Sequence, residues 1–597
     1  MPCVRITVFT IGFWQDSLGS GANEAAAVKE SEGMPVLLRD IKVPLAYSGT
    51  TDLLKQFLSD AHGLRTAAAR GTLGVQIVRR SLDARKKMDI HYVYQLRIDS
   101  DDDEGLHGKA SGAGLRSEII PPLPSVHPLD DLTVAGGGPG LPTAASFRHP
   151  PVIIGSGPAG IFAALVLAEA GISALAFDRG EAVAARVRTV GRLRRRGELS
   201  EESNYCFGEG GAGTFSDGKL TCGRNHPLIR YLFEQWVAFG APESILWEAH
   251  PHIGTDYLMR VALEMRRKVE SAGSRFQFGS RLEDIVPGGG AAKYMLRFSG
   301  GLTVPADHVI LAIGHSARDT YRMLLDRGLA MAPKPFALGA RIEHPQEHIN
   351  RIQYGNCTVL PAAEYKLAAQ SGGRGIWTFC MCPGGHLLPT SAQPGHLAIN
   401  GMSYHSRASG FANAAVVVNI QREDFYRGHP LDGVSFQSAL ERAAFEAGGG
   451  GYVSPAQRLG DFLKGQASRG ELRSTYRPGV APARLDQLLP RFVTEALRGA
   501  LVEYNERMRG YLSEEAIIAG IESKTSSPIV MMRDDMLQSV SHPGIFPTGE
   551  GAGFAGGIVS AALDGVRVAR ALLTAVPRSS IGSRNERGAC SAGAAVS

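Results

Sequence analysis

The amino-acid sequence predicts a soluble, multidomain α/β protein, and three observations lead to this prediction. The chain has 597 residues, several times the size of an ordinary domain. Hydrophobic residues make up 44% of it and charged residues 20%, as in ordinary globular proteins. Between about residues 150 and 575, strand-like runs such as 309–313 alternate with helix-like runs such as 258–269, which is the pattern of an α/β fold.

The first 149 residues indicate a small module between two flexible segments. We expect a flexible N-terminus over 1–33 and an α/β module over 34–99. An acidic run followed by Gly-, Pro- and Ser-rich sequence predicts a flexible linker over 100–149. Within the module, the hydrophobic patterning predicts a strand, a helix and two further strands, at 37–45, 51–61, 75–78 and 90–96.

The strongest local motif is a short apolar strand from Pro151 that runs into three spaced glycines and then into an apolar helix ending near Ala170. Such glycines permit a tight turn, a close approach of backbone amides to a pyrophosphate, and close packing of the helix on the sheet. The positive end of the helix then faces the phosphates. The motif predicts a dinucleotide site formed by Gly155, Ser156, Gly157, Pro158, Ala159 and Gly160.

A second apolar strand, 174–177, ends at Asp178, about 20 residues after the first glycine of the motif. A carboxylate at this position can accept hydrogen bonds from the adenosine ribose hydroxyls. Its negative charge repels a 2′-phosphate, so the position favours FAD or NAD over NADP. We assign Asp178 and its neighbour Arg179 to the cofactor site.

Near the C-terminus, a short strand, an acid and a second glycine-rich loop precede the apolar helix 559–573. An NAD-only domain has no need of such a loop. In a flavoprotein the acid can bind a ribityl or pyrophosphate-side hydroxyl, and the helix N-terminus stabilises negative charge on the reduced flavin. The loop therefore favours FAD, with predicted contacts from Gly549, Glu550, Gly556, Gly557 and Ile558.

Two internal segments add further candidate residues. The glycine-rich loop 208–213 can wrap a pyrophosphate or the flavin edge with Gly210, Gly211 and Gly213, although a plain surface turn is the alternative. The buried strand 307–314 ends at Gly314, where this type of fold returns to its cofactor. His315 follows directly and can donate to flavin or substrate, the alternative being a structural hydrogen bond.

Taken together, these motifs resemble the FAD-dependent dehydrogenases of bacteria and plastids, which have a glutathione-reductase-like two-nucleotide-binding fold. The resemblance implies FAD and redox chemistry and leaves the substrate open. It extends over most of 150–575 and includes part of the N-terminal module. Besides the two glycine motifs, it is carried by residues 81–86, 203–219, 312–319, 341–345, 379–385, 400–403 and 525–528.

The pair Cys380 and Cys382 invites a redox interpretation, because two thiols near a flavin can pass electrons through a disulfide. Disulfide oxidoreductases of this superfamily generally use C-x-x-C or C-x4-C spacing, however, which favours a packing role. No Cys and His set has zinc spacing, so we predict no metal site. His315, Cys380 and Cys382 remain the candidates for catalysis.

The middle of the chain lacks a second G-x-G-x-x-G motif, the mark of an NADPH domain in disulfide reductases. We therefore expect a Rossmann-like FAD-binding domain formed by 150–330 and 520–576, with an inserted α+β substrate or cap domain over 331–519. A flexible tail is expected over 577–597. Polar residues of the insert that can line a cleft are Arg341, Glu343, His344, Tyr354, Lys366, Asn400, Arg407 and Gln437.

Composition also bounds the compartment and the partners. Seven scattered cysteines form no disulfide framework, which favours a reducing compartment such as the cytoplasm, or an organelle such as a plastid in a eukaryote. The sequence contains no apolar run of the roughly 18 to 20 residues that a membrane span needs. The net charge of +5 does not argue for a nucleic-acid partner, although an arginine cluster at 186–196 leaves that partner open.

The sequence thus predicts an FAD-dependent oxidoreductase acting on a small molecule, with NADH or NADPH as candidate transient electron donors. Two alternatives stay open. One is an RNA-interacting flavoprotein, since some relatives of this fold modify tRNA and the chain carries the arginine cluster. The other is a non-catalytic flavin-binding redox sensor. The substrate and the oligomeric state are not determined by the sequence.

Overall fold

The α/β class predicted from the sequence is confirmed by the computed structural model, in which helices and strands alternate along the chain. The structure describes residues 35–62, 64, 74–99, 103–120, 126–133, 140–223 and 225–576. The two predicted flexible ends, 1–33 and 577–597, lie outside these residues.

The N-terminal module is a four-stranded antiparallel sheet in the order β2-β3-β1-β4. Its buried residues include Leu38, Leu54 and Leu96, which form a core of the module's own. The apolar residues of the strands face this core, which explains why the hydrophobic pattern of the sequence predicted strands in this module. The elements are β1 Val36–Pro44, α1 Thr51–His62, β2 Gly74–Asp83, β3 His91–Asp99, α2 Asp103–Gly112 and β4 Arg116–Ile119.

The prediction of a flexible linker over 100–149 is wrong for the helix and strand that complete this module. Strand β4 pairs with β1, with Val36 opposite Ile119, and the side chains of Leu106 and Ala110 are buried in the module core. Composition concealed these elements, because Gly- and Ser-rich sequence carries little periodicity while sheet pairing depends on backbone groups. Farther along, Leu129 and Leu132 pack into the core of the main body.

The main body begins with the first part of the nucleotide-binding domain. Its helices and strands in chain order are β5 Val152–Ile154, α3 Pro158–Glu169, β6 Leu175–Phe177, α4 Val183–Arg196, α5 Leu228–Ala238, α6 Thr255–Ser271, β7 Arg275–Gln277, β8 Leu282–Pro287, β9 Tyr294–Phe298, β10 Thr303–Ala306, β11 Val309–Leu311 and α7 Arg318–Asp326.

The inserted domain is built around a seven-stranded sheet in the order β14-β15-β18-β13-β21-β19-β20, which is antiparallel except for its last pair. Its elements are β12 Met331–Pro333, β13 Phe336–Pro345, α8 Gln346–Tyr354, β14 Ala368–Ser371, β15 Arg374–Cys382, β16 His386–Pro389, β17 Ile399–Met402, β18 Phe411–Ile420, α9 Arg422–Phe425, α10 Asp432–Ala447, β19 Ser454–Arg458, α11 Leu459–Lys464, β20 Val480–Pro482, α12 Leu485–Leu488, α13 Arg491–Arg507 and β21 Ile517–Glu522.

The chain then returns to the nucleotide-binding domain through β22 Ile529–Met531, β23 Ile545–Pro547 and α14 Ile558–Ala575. Strand β23 completes a five-stranded parallel sheet in the order β23-β11-β5-β6-β7. Helices α3 and α14 cross at close range. A Cβ added at Gly565 would lie 2.1 Å from the carbonyl oxygen of Ala159, so the crossing leaves no room for a side chain there. This close crossing brings the two glycine-rich loops side by side.

The N-terminal module contacts the main body through its strand β2. The backbone N–H of Arg80 donates to the carbonyl of Trp247, and the N–H of Ala249 donates to the carbonyl of Arg80. The Arg80 guanidinium also pairs with Glu248. The module is therefore fixed to the segment that directly precedes His250. Within the described residues, no helix combines the length and apolar character required to cross a membrane.

Close packing at the first glycine motif predicts that Gly160→Ala destabilises the protein. A Cβ at this position would lie 1.9 Å from the carbonyl oxygen of Gly155, so the turn before α3 must shift. We expect the unfolding free energy to fall by about 1–3 kcal/mol, measured as a lower thermal midpoint of the apoprotein. Gly157→Ala is the matched control, since its Cβ approaches no atom closer than 3.6 Å. Equal midpoints for the two variants would contradict this account.

Candidate functional site

A cavity of about 730 Å³ lies between the nucleotide-binding domain and the seven-stranded sheet. One wall is formed by loops that follow the carboxyl ends of β5, β6, β11 and β23, the usual ligand-binding edge of a parallel sheet. The opposite wall includes residues of β15 from Trp377 to Met381. The exposed residues Thr221 and His250 also line the cavity, which therefore reaches the surface at that end.

The first glycine motif forms the turn between β5 and α3. Gly155 has a φ of 100°, and a Cβ there would lie 2.3 Å from the carbonyl oxygen of Ala312, so both backbone conformation and packing require glycine. Gly157 precedes the first turn of α3 and lines the cavity, and a Cβ there would meet only ordinary contacts. The turn thus places the positive end of α3 at the cavity wall.

Asp178 holds this turn in place. Its Oδ2 accepts hydrogen bonds from the backbone N–H of Ser156 at 2.9 Å and from the Ser156 hydroxyl at 2.6 Å, and its Oδ1 accepts from the Gly180 N–H at 2.9 Å. A carboxylate offers about four acceptor positions, so one stays available to a ribose hydroxyl. Arg179 also lines the cavity and pairs with Glu202 and Asp319, each at 2.8 Å.

The loop 203–213 is organised by a buried arginine that belongs to the arginine cluster at 186–196. Arg186, on α4, is fully buried and donates hydrogen bonds of 2.7 to 3.2 Å to four carbonyl oxygens, those of Asn204, Tyr205, Gly208 and Glu209. Burial lowers the pKa of Arg186 to about 10, so the guanidinium stays charged at neutral pH. The other arginines at 188, 192, 195 and 196 are exposed on α4 and are absent from the cavity wall.

The C-terminal glycine loop is fixed by Asp564, which the sequence analysis missed. Its Oδ2 accepts hydrogen bonds from the Thr548 hydroxyl at 2.9 Å and the Gly549 N–H at 2.8 Å. Arg533 donates to both oxygens of the same carboxylate. The one sequence signal for this role is an aspartate within an otherwise apolar helix, because a buried carboxylate needs hydrogen-bond donors as partners.

Space beside the glycines of the C-terminal loop is open. Gly556 and Gly557 line the cavity at the start of α14, and a Cβ at either position would meet no protein atom within 4 Å. Neighbouring His315 has its Nδ1 3.4 Å from Oε1 of Glu550, while its Nε2 is buried without a hydrogen-bond partner in the described chain. The two helix N-termini, the open glycines and the unpartnered Nε2 together fit a bound dinucleotide with a flavin ring.

Most of the predicted cofactor residues line this cavity. They are Gly155, Gly157, Pro158, Ala159, Asp178, Arg179, Gly211, Gly213, Gly314, Gly549, Glu550, Gly556, Gly557 and Ile558. Ser156, Gly160 and Gly210 lie behind the wall: Ser156 binds Asp178, Gly160 packs on Gly155, and the Gly210 N–H donates to the carbonyl of Ser156 at 3.0 Å. Of the catalytic candidates, His315 and Cys380 line the cavity and Cys382 is buried beside them.

The end of the cavity that reaches the surface is charged. Lys219 pairs with Asp217 at 2.5 Å, and Arg407 contacts the same carboxylate at 3.3 Å. Lys219 is the main charge that holds the pKa of Asp217 down against the effect of burial, to about 2. Glu364 and Lys366 complete this end, where Glu364 hydrogen bonds to His250. Asp217 is therefore ionised at neutral pH, and the cations around it are partly neutralised.

Among the polar residues predicted for a cleft, the structure brings only Lys366, Asn400 and Arg407 to the cavity. Arg341 is fully buried in the seven-stranded sheet, where it pairs with Glu522 at 2.8 Å and donates to Asn400 and Asn413 at 2.6 Å. The others belong to the interior of the inserted domain, namely Glu343, His344, Tyr354 and Gln437. Within the described part of the chain, no cluster of His, Cys, Asp or Glu could hold a metal ion.

Comparison with known proteins gives matches over most of the chain. Residues 335–525 match a family described as "FAD-dependent protein, C-terminal domain-like", and residues 36–99 match a domain family of unknown function. A protein of Clostridium beijerinckii, described as uncharacterized, is 40% identical over 506 residues, which cover 84% of this chain and 92% of the relative.

Solved structures give more distant similarities. A geranylgeranyl bacteriochlorophyll reductase-like protein from Thermoplasma acidophilum is 14% identical with a TM-score of 0.31, covering 73% of this chain and 79% of that one. A glycine oxidase from Geobacillus kaustophilus is 13% identical with a TM-score of 0.27, covering 72% and 94%. At these TM-scores the activities of those proteins do not transfer to this chain.

The ordinary contacts around Gly157 predict that Gly157→Ala weakens FAD binding without destabilising the apoprotein. The φ of −69° suits alanine, and the added methyl group would occupy the space next to the first turn of α3, where a pyrophosphate would bind. We expect the Kd for FAD to rise about tenfold or more, equivalent to about 1.4 kcal/mol, measured by calorimetry. An unchanged Kd for FAD would show that this loop does not contact the cofactor.

The four carbonyl contacts of Arg186 predict that Arg186→Met destabilises the protein by about 3 kcal/mol or more, because buried carbonyls lose their donors. Urea unfolding measures the change, and FAD affinity should fall with it. Arg188→Met, an exposed position on the same helix, is the control and should stay within about 0.5 kcal/mol of the parent. Similar losses in both variants would show that charge on α4, and not the buried contacts, matters.

Proposed function

We propose that this chain, which belongs to the same family as the Clostridium beijerinckii protein, is an FAD-dependent oxidoreductase. In this proposal it takes two electrons, as a hydride, from a small organic substrate or a nicotinamide dinucleotide and passes them to an acceptor. Its FAD dependence agrees with the family match over 335–525. When bound, FAD supplies the hydride and electron-transfer chemistry.

The observation that carries the proposal is the continuity of the cavity. The two glycine loops line one part, and a charged part with Lys219 and Arg407 reaches the surface. A small molecule entering at the charged end would share the cavity with the cofactor. This arrangement favours an enzyme over a sensor, since a sensor needs no access for a substrate.

We assign the cofactor contacts as follows. The N-terminus of α3, with Gly157, would bind the pyrophosphate, and Asp178 would accept from the adenosine ribose. The N-terminus of α14, at Gly557 and Ile558, would face the flavin and stabilise negative charge on it when reduced. The unpartnered Nε2 of His315 is available for a hydrogen bond to the flavin or to the substrate.

The RNA-binding alternative receives no support from the arginine cluster. Its buried member, Arg186, holds a loop, and its exposed members on α4 do not reach the cavity wall. Exposed arginines on one face of an amphipathic helix are typical of a solvated surface. We therefore retain the proposal that the protein is an FAD-dependent oxidoreductase.

An anaerobic titration tests the proposal. The purified protein, reconstituted with FAD, should show flavin absorbance that is bleached by NADH or NADPH, and the more effective nicotinamide identifies the donor. Dithionite serves as the control, because it shows that the bound flavin can be reduced. A flavin that dithionite bleaches but that no nicotinamide or small organic donor reduces would contradict an oxidoreductase. A protein that does not bind FAD at all would overturn the whole proposal.

A further inference from the structure

The two cysteines of the C-x-C motif lie at an irregularity of strand β15. Phe379 pairs with Ala415 and Cys382 with Asn413, so β15 contains one residue more than its partner β18 at this point. Cys380, inside the irregularity, has a φ of 45°. In a regular strand, residues two apart lie about 6.6 Å from each other along the strand, which is near the upper limit of the Cα separations that disulfides span. The bulge changes this spacing.

As a result, the Cys382 side chain contacts Cys380. Its thiol donates a hydrogen bond of 3.3 Å to the backbone carbonyl oxygen of Cys380. Cys382 is fully buried, whereas Cys380 is partly exposed on the cavity wall. Cys380 therefore lines the cavity, and Cys382 lies behind it in the interior.

Charges around the pair favour a thiolate on the cavity side. The neighbouring Cys382 thiol, together with the positive charges of Lys219 and Arg341, lowers the pKa of the Cys380 thiol below its usual range, although burial and Asp217 act in the opposite direction. The same contact raises the pKa of Cys382. A thiolate next to a thiol is the reactive arrangement for disulfide formation.

We propose that Cys380 and Cys382 form a redox-active dithiol that exchanges an electron pair with FAD in the same cavity. The inference rests on the proposed function, because FAD is the oxidant. The Cys380 thiolate and the Cys382 thiol form an S–S bond and release two electrons and one proton; with one further proton from water, these convert FAD to FADH2. In the reverse direction, the S–S bond accepts two electrons and one proton from FADH2 and breaks, which restores the thiolate and the thiol, and the second proton returns to water. The protein then stores four electrons where the flavin alone stores two.

Two other cysteines of the described chain, Cys206 and Cys357, do not offer this geometry. Cys206 also lines the cavity, but its contacts are the carbonyl oxygen of Thr390 at 3.3 Å and the ammonium of Lys524 at 3.4 Å. Cys357 packs against the core of the inserted domain and is absent from the cavity wall. These two positions therefore supply matched controls, one inside the cavity and one outside it.

A reductive titration of the oxidised holoenzyme tests the pair. Under anaerobic conditions, complete bleaching of the flavin by dithionite should require about two two-electron equivalents per flavin in the parent protein. Cys380→Ser and Cys382→Ser should each require about one, while Cys206→Ser and Cys357→Ser should keep the parental requirement. The flavin spectrum and thermal midpoint show that each variant is folded.

A second readout needs no variant. Reduced apoprotein is mixed with FAD without oxygen and then alkylated with iodoacetamide. Mass spectrometry should find the peptide with both cysteines unlabelled and two hydrogens lighter. Two outcomes would overturn the redox-active dithiol: a protein that binds FAD while both cysteines are alkylated, or a parent protein that needs only one two-electron equivalent of dithionite. Neither outcome would contradict the proposed oxidoreductase. A chain that binds no FAD would overturn both.

Discussion

The buried guanidinium of Arg186 is the constraint on which the cavity depends. A charged group without solvent is costly unless each donor is used, and this one donates to four carbonyl oxygens of the loop 203–213. The loop in turn presents Gly211 and Gly213 to the cavity. Helix α4 and the loop therefore form one unit, and the Gly210 N–H connects that unit to the first glycine turn at Ser156.

Two carboxylates hold the remaining loops by the same principle. Asp178 binds the backbone of the first glycine turn, and Asp564 binds Gly549 in the C-terminal loop, opposite Arg533. The oxygens of each carboxylate accept the hydrogen bonds that the backbone N–H groups of an exposed turn would donate to water. A site assembled in this way is fixed before a ligand arrives, which reduces the entropy lost on binding.

The inserted domain contributes a wall of different character. Its sheet carries the fully buried pair of Arg341 and Glu522 next to the bulge of β15. Arg341 also donates to the carbonyl oxygen of Cys380 at 3.2 Å and so fixes the backbone at the irregularity. The nucleotide-binding domain therefore supplies the glycine loops and helix ends together with Asp217 and Lys219, while the insert adds Cys380, Lys366 and Arg407.

By itself, the sequence determined the elements whose signals are local. The strand, glycine turn and helix at 151–170, the strand ending at Asp178 and the glycine-rich start of α14 were all predictable, because hydrophobic period and glycine spacing act over few residues. Only the tertiary structure decided the long-range partners. Arg186 was one member of an arginine cluster, β4 lay in the segment predicted as a linker, and Asp564 was one acid in an apolar helix. Contacts between distant segments depend on the packing of the whole chain, which no local pattern encodes.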